Sequence, residues 1–193
     1  FQPLQVKPGP TLTMIHTGTL YRGRSPVSFL EAWGQAIQSG RLPQDRLRLR
    51  FIGSVGNFQA DMDRLAKKYG LQPYLDLVPP IPHLQCLQEM AAASVLLLLQ
   101  PGTKIQIPAK FYEYLAMRKP IFAVSPVGVI SRMVQEHALG WWADADRSDQ
   151  IQRQILEMAN FFDRDNGHWN IGEEVLAKFN GKKLVQEVYE LLV

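Results

Sequence analysis

Stretches of this chain in which apolar residues run together or alternate give way repeatedly to stretches in which they return every third or fourth position. The first is the β-prone run TLTMIHT, Thr11 to Thr17, which ends at Gly18. After the loop TLYRGRSP, Val27, Leu30, Trp33 and Ile37 keep helical spacing. The unit then repeats. Leu47, Leu49 and Phe51 alternate with arginines up to Ile52 and GSVG, and Phe58, Met62, Leu65 and Tyr69 mark an amphipathic helix closed by Gly70. YLDLV, the turn PPIPH and a helix through Leu84, Leu87 and Met90 form the next unit. VLLLL, the loop PGTKIQIP and the helix AKFYEYLA form another, and IFAV precedes a helix through Val129, Ile130, Met133 and Val134 that stops near Gly140. GWWADAD reads as a short last strand with its turn, followed by a helix from Asp149 to Phe162 carrying Ile151, Ile155 and Met158. NGHWNIG has no pattern, and KKLVQEVYELL predicts a closing helix with Leu184, Val188 and Leu191 on one face.

Strands alternating with helices of this length predict an α/β fold: a doubly wound, Rossmann-like parallel sheet with helices on both faces. Ligands of such sheets sit at the carboxyl ends of the strands. The stretch from Ser94 to Pro120 is the centre of this expectation, because a buried strand there ends in a Gly/Pro loop that opens directly into a helix. The free N–H groups of that helix face the loop and favour an anion. Lys110 and Glu113, three apart on the same helix, are neighbours near that end, a cation for phosphate beside a carboxylate for hydroxyls.

Composition narrows the class. With 193 residues, 46% of them hydrophobic and 20% charged, the chain matches one ordinary globular domain. The opening FQPLQVKPGP is proline-rich and unpatterned, so residues 1–10 read as a linker from a missing N-terminal domain, 11–163 as the domain proper, and 164–193 as a tail and helix expected to contact that missing domain. No apolar run approaches the roughly 20 residues that span a bilayer. The single Cys86 excludes an internal disulfide and any cysteine-rich metal site, and fits a reducing, cytoplasmic compartment. A net charge of +3 suits a phosphorylated ligand and leaves open a peripheral seat at an anionic membrane face; without aromatics among the basic residues it argues against nucleic acid. One basic cluster is Arg22 and Arg24; the other is Arg41, Arg46, Arg48 and Arg50.

Three loops are expected to converge at the carboxyl edge: GTLYRGR, GSVG and PGTKIQIP. Gly18 and Gly53 allow close backbone approach, and Arg22 or Arg24 can bond phosphate oxygens. Neither GxGxxG nor a Walker loop occurs, which disfavours a Rossmann dehydrogenase or an NTPase. Trp33, Trp141 and Trp142 read as core, and Asp144, Asp146 and Asp149 as a turn and helix cap rather than a calcium loop. No metal site is expected.

In their order and spacing, IHTGTLYRGRSPVSFLEAW, LRLRFIGSVG, YLDLVPPIPHLQCLQEMAAASVLLLL and IPAKFYEYLAMRKPIFAVSP resemble the C-terminal, nucleotide-sugar-binding domain of GT-B glycosyltransferases of family 4, or group 1, over about residues 11 to 160. AKFYEYLAMRKPIFAV carries the most specific part of the likeness. The resemblance implies a hexosyltransferase-like enzyme of bacterial polysaccharide biosynthesis that takes a nucleotide diphosphate sugar, for example a UDP- or GDP-sugar, as donor and needs no other cofactor. It further implies Glu113 on the donor ribose, Arg24 on the diphosphate and Gly18 close to the same group. Lys110 is expected at the phosphate, His83 near the base, and the backbone N–H groups of Gln106 and Ile107 facing the donor. Two positions depart from the pattern. Many retaining members carry a second glutamate eight positions before the ribose ligand, where this chain has Ile105, and Thr19 stands where relatives often have a second basic residue, a role open to Arg22. The catalytic groups are therefore unassigned. A degenerate, non-catalytic docking module and a sugar-nucleotide epimerase of similar fold are the alternatives.

Overall fold

The computed structural model describes residues 12–21, 23–42, 47–164 and 169–179. Arg22 and Arg46, the linker and the closing helix through Leu184 lie outside the described residues. Six parallel strands form one sheet: β1 (Leu12–Thr17), β2 (Leu47–Ile52), β3 (Leu75–Val78), β4 (Val95–Leu99), β5 (Ile121–Ser125) and β6 (Gly140–Asp144), in the spatial order β3-β2-β1-β4-β5-β6. The order reverses between β1 and β4, which makes that junction the topological switch point of a doubly wound sheet. Helices α1 (Val27–Gln38), α2 (Gln59–Tyr69), α3 (His83–Ala92), α4 (Ala109–Ala116), α5 (Val129–Glu136) and α6 (Ser148–Arg164) connect or follow the strands, and a short α7 (Glu173–Lys178) closes the described part.

The two faces carry separate cores. Phe29, Trp33 and Ile37 of α1, Met62 and Leu65 of α2, and Ile151, Ile155 and Met158 of α6 pack on Met14, Leu97, Leu99 and Phe122. On the other face Met90 of α3, Phe111, Tyr114 and Leu115 of α4, and Ile130 and Val134 of α5 pack on Ile15, Leu96, Leu98 and Ile121. Every residue of β4 and β5 is buried, which explains why VLLLL and IFAV show no alternation, whereas β6 at the sheet edge alternates.

Two expectations change. Leu84 does not join the apolar face of α3 but is 68% exposed in its first turn, so that helix is held by Met90 and Ala91 together with the partly buried Leu87. α7 was not foreseen in a segment whose period is too short to register; the Arg118–Glu173 ion pair and the ring of Phe179 against Phe111 and His137 hold it on α4 and α5. The second arginine cluster is partly neutralised: Arg48 and Arg50 lie 3.3 Å from Asp76, and Arg50 also pairs with Glu89.

Candidate functional site

The loops that leave the strands are stitched to one another by backbone bonds. Gly18 N–H donates to Ile52 O (2.8 Å) and Leu20 N–H to Ser54 O (2.8 Å), joining the loops after β1 and β2. Gly102 N–H donates to Gly23 O (3.1 Å), and Val129 N–H to Lys104 O (2.8 Å), which adds the loops after β4 and β5. Gly53 shows how tight the first seam is: at φ +136° it holds a conformation L side chains avoid, and a Cβ there would stand 2.5 Å from Gly18 O.

Into this seam α4 sends its first turn. The Lys110 ammonium donates to the Thr17 carbonyl and lies 3.2 Å from where a Cβ on Gly18 would be, so the bare backbone at Gly18 is what leaves room for it. Burial lowers the Lys110 pKa to about 8, helped by the Arg24 charge and opposed by Glu113. Arg24 donates from Nε to the buried Gln100 side chain (3.2 Å) and stacks its guanidinium 4.4 Å from the centre of the Tyr21 ring, which fixes its direction at the carboxyl ends of β1 and β4. Glu113, exposed one turn along from Lys110, is close enough for its charge to act on Lys110 and on the half-buried Cys86, whose thiol burial pushes up.

Gly18, Gly53, Arg24, Lys110 and Glu113 thus lie together at the switch point, where doubly wound sheets open a ligand crevice. Thr19 is exposed at its lip. His83 is exposed as the first residue of α3 rather than lying in the turn before it. Gln106 is exposed and Ile107 half-buried against the second core, both ahead of the first turn of α4. Among the described residues no cluster of three or more His, Cys, Asp and Glu could hold a metal ion.

Three residues of the site escaped sequence reasoning. The Tyr114 hydroxyl, fully buried, accepts from Thr17 N–H (3.2 Å), lies 3.2 Å from Thr17 Oγ1 and donates to Leu97 O (3.3 Å). His16, also buried, places Nδ1 2.9 Å from the same Leu97 carbonyl. The signal was there: His16 and Thr17 are polar residues ending an otherwise apolar strand, and a buried tyrosine needs a partner for its hydroxyl.

A crevice at the switch point that offers two cations, a helix N-terminus and one exposed carboxylate is suited to a ligand that carries both phosphate and hydroxyl groups. The sheet and its helices form a Rossmann-like domain with the fold of GT-B glycosyltransferases. Residues 11–160 match the family model described as "Glycosyl transferases group 1", and the chain belongs to that family. No curated protein sequence matches the chain. Among solved structures it is similar to HepE of Anabaena in complex with UDP and glucose (15% identity, TM-score 0.69), over 95% of this chain and 48% of that one. It is similar to the C-terminal domain of a group 1 glycosyl transferase, LpcC, from Francisella tularensis (14% identity, TM-score 0.68), over 92% of each chain. It is also similar to the pneumococcal O-GlcNAc transferase GtfA in complex with UDP and GlcNAc (15% identity, TM-score 0.64), over 97% of this chain and 38% of that one. The chain spans about half the length of HepE and closely matches the length of the LpcC domain.

Proposed function

We propose that this chain is the donor-binding half of a glycosyltransferase, which holds a nucleotide diphosphate sugar such as a UDP- or GDP-sugar in the crevice between the loops after β1 and β4. The gathering of Lys110, Arg24 and Glu113 around Gly18 carries this proposal. Glu113 accepts from the ribose hydroxyls, and Arg24 and Lys110 face the diphosphate. In transfer, the bond from the anomeric carbon to the diphosphate oxygen breaks, a bond to the oxygen of an acceptor hydroxyl forms, and the proton of that hydroxyl passes to the departing diphosphate or to solvent. The charge left on the nucleoside diphosphate then falls beside the two cations, which favours its departure. The acceptor, a glycan or a lipid-linked precursor, binds to an N-terminal domain of the same chain, at a cytoplasmic membrane face that the basic residues help to approach. HepE and GtfA, solved with UDP, support the donor class. No helix among the described residues is long and apolar enough to cross a membrane.

Calorimetry with UDP-, GDP- and ADP-sugars tests the proposal: one of them binds, and Glu113→Ala abolishes that binding while the protein stays folded. Binding by none of the three, or unchanged affinity in the variant, overturns it. A second reading is favoured by Ile105, an apolar side chain 87% exposed where many relatives place an acid: a non-catalytic docking module of the same fold. It predicts a protein partner and no sugar transfer by the longer protein.

A further inference from the structure

β1 and β2 are paired over six positions, from Leu12–Leu47 to Thr17–Ile52, whereas β1 and β4 are paired at Met14–Val95 and Ile15–Leu96. Beyond Ile15 the two central strands part, and this is where the sheet opens into the donor crevice. Parting strands leave backbone donors and acceptors that water would otherwise have to satisfy, yet Thr17 and Leu97 are buried there. The Tyr114 hydroxyl fills that place. It takes the Thr17 N–H, contacts Thr17 Oγ1, and gives its own proton to the Leu97 carbonyl. From the same helix, one turn earlier, Lys110 holds the Thr17 carbonyl. Three polar atoms of the last residue of β1 are therefore bound by side chains of α4, the helix that carries Glu113.

We propose that Tyr114 is a positioning residue that holds the crevice between β1 and β4 at a fixed width and thereby sets the spacing between the Gly18 loop and Glu113. This rests on the donor-site reading above. A nucleoside diphosphate engages both sides at once, its ribose on Glu113 and its phosphates at Gly18, Lys110 and Arg24, so it gains from a fixed spacing as a rigid two-point clamp does. A nucleoside engages one side and gains nothing.

The test compares UDP with uridine, GDP with guanosine and ADP with adenosine on the 193-residue chain, using whichever pair the wild type binds. Tyr114→Phe is expected to weaken the diphosphate about tenfold, the scale of one lost bond network, and to leave the nucleoside affinity unchanged. Thr17→Val keeps the N–H bond to Tyr114 and loses the hydroxyl's contacts with Tyr114 and with Met90 Sδ (3.8 Å), so it weakens the diphosphate less. The double variant weakens the diphosphate by less than the sum of the two single changes, because the hydroxyl contact with Tyr114 is already gone in Tyr114→Phe. Should Tyr114→Phe not fold, the diphosphate-specific loss in Thr17→Val carries the result. Equal weakening of nucleoside and diphosphate, or no change in either with intact wild-type binding, overturns the positioning role. Failure of the wild type to bind any nucleotide overturns the donor-site reading beneath it.

Discussion

His16 is a base that the fold keeps uncharged. Its Nδ1 meets Leu97 O at 2.9 Å, its ring lies 5.6 Å from that of Phe51, and its buried Nε2 has no hydrogen-bond partner among the described residues. Burial and then the charges of Lys110 and Arg24 push its pKa well below the usual 6.5, against the pull of the Leu97 bond. The unfolded chain takes up a proton near pH 6.5 and the folded chain does not, so stability is full above that pH and falls below it by up to about 1.4 kcal/mol per pH unit. Thermal unfolding followed from about pH 7.5 to about 5.5 should show a steeper loss for wild type than for His16→Leu, whatever the variant's starting stability. Lys110 gives the opposite window for binding. Its charge is present below its pKa of about 8 and fades above it, so affinity for a nucleoside diphosphate should fall as pH rises through 8 while nucleoside affinity stays level. A titration of Lys110→Arg, which keeps its charge there, should flatten that fall.

Among the elements, α1 shows propensity and packing in conflict. Gly34 lies in the middle of that helix, where alanine is ordinarily favoured by about 1 kcal/mol. A Cβ at Gly34, however, would stand 2.2 Å from the Tyr69 ring at the end of α2. Gly34→Ala is therefore expected to lower the midpoint of unfolding, by about 1–3 kcal/mol in stability, because the ring must move out of a packed interface. Calorimetric unfolding checks the sign, and a gain in stability would show that α1 and α2 can slide apart at no cost. Gly34 could not have been assigned this task from the sequence, where it is one more glycine in a helical pattern. All six strands and the helices α1 to α6 were legible, since hydrophobic period reports which face of an element is buried. Glu113, Lys110 and Arg24 were legible as charges placed next to strand ends. Gly53 was legible as a position of close backbone approach, but the Tyr114 bridge and the seam at Gly102 were not, because they depend on distances between loops far apart in the chain. The exposure of Leu84 was missed for a related reason: period marks a face, and the first turn of α3 extends past the edge of the core that this face covers.

Across the whole molecule, apolar side chains left in solvent are not scattered. The large exposed ones among the described residues are Tyr21 in the loop after β1, Leu84 in the first turn of the helix after β3, Ile105 and Tyr112 after β4, and Val127 after β5. All of them follow the carboxyl end of a strand, on the edge where the crevice proposed for the donor opens. Ile105 at 87% and Val127 at 63% exposure bury too little to stabilise this domain, and the bond from Val129 N–H to Lys104 O keeps their loops side by side. Ile105→Ser with Val127→Ser should therefore change the stability of the 193-residue chain by no more than about 0.5 kcal/mol and leave its nucleotide affinity as it was. If the acceptor-binding half proposed above closes over this edge, the same pair of changes in the longer protein should reduce sugar transfer, because closure removes both side chains from water and a serine there gives less return on burial. Denaturant unfolding and nucleotide calorimetry on the short chain, set beside transfer rates on the long one, separate the outcomes. A loss of stability in the short chain would mean the two residues serve its own fold. Unchanged transfer in the long chain would mean that nothing closes on this edge during the reaction.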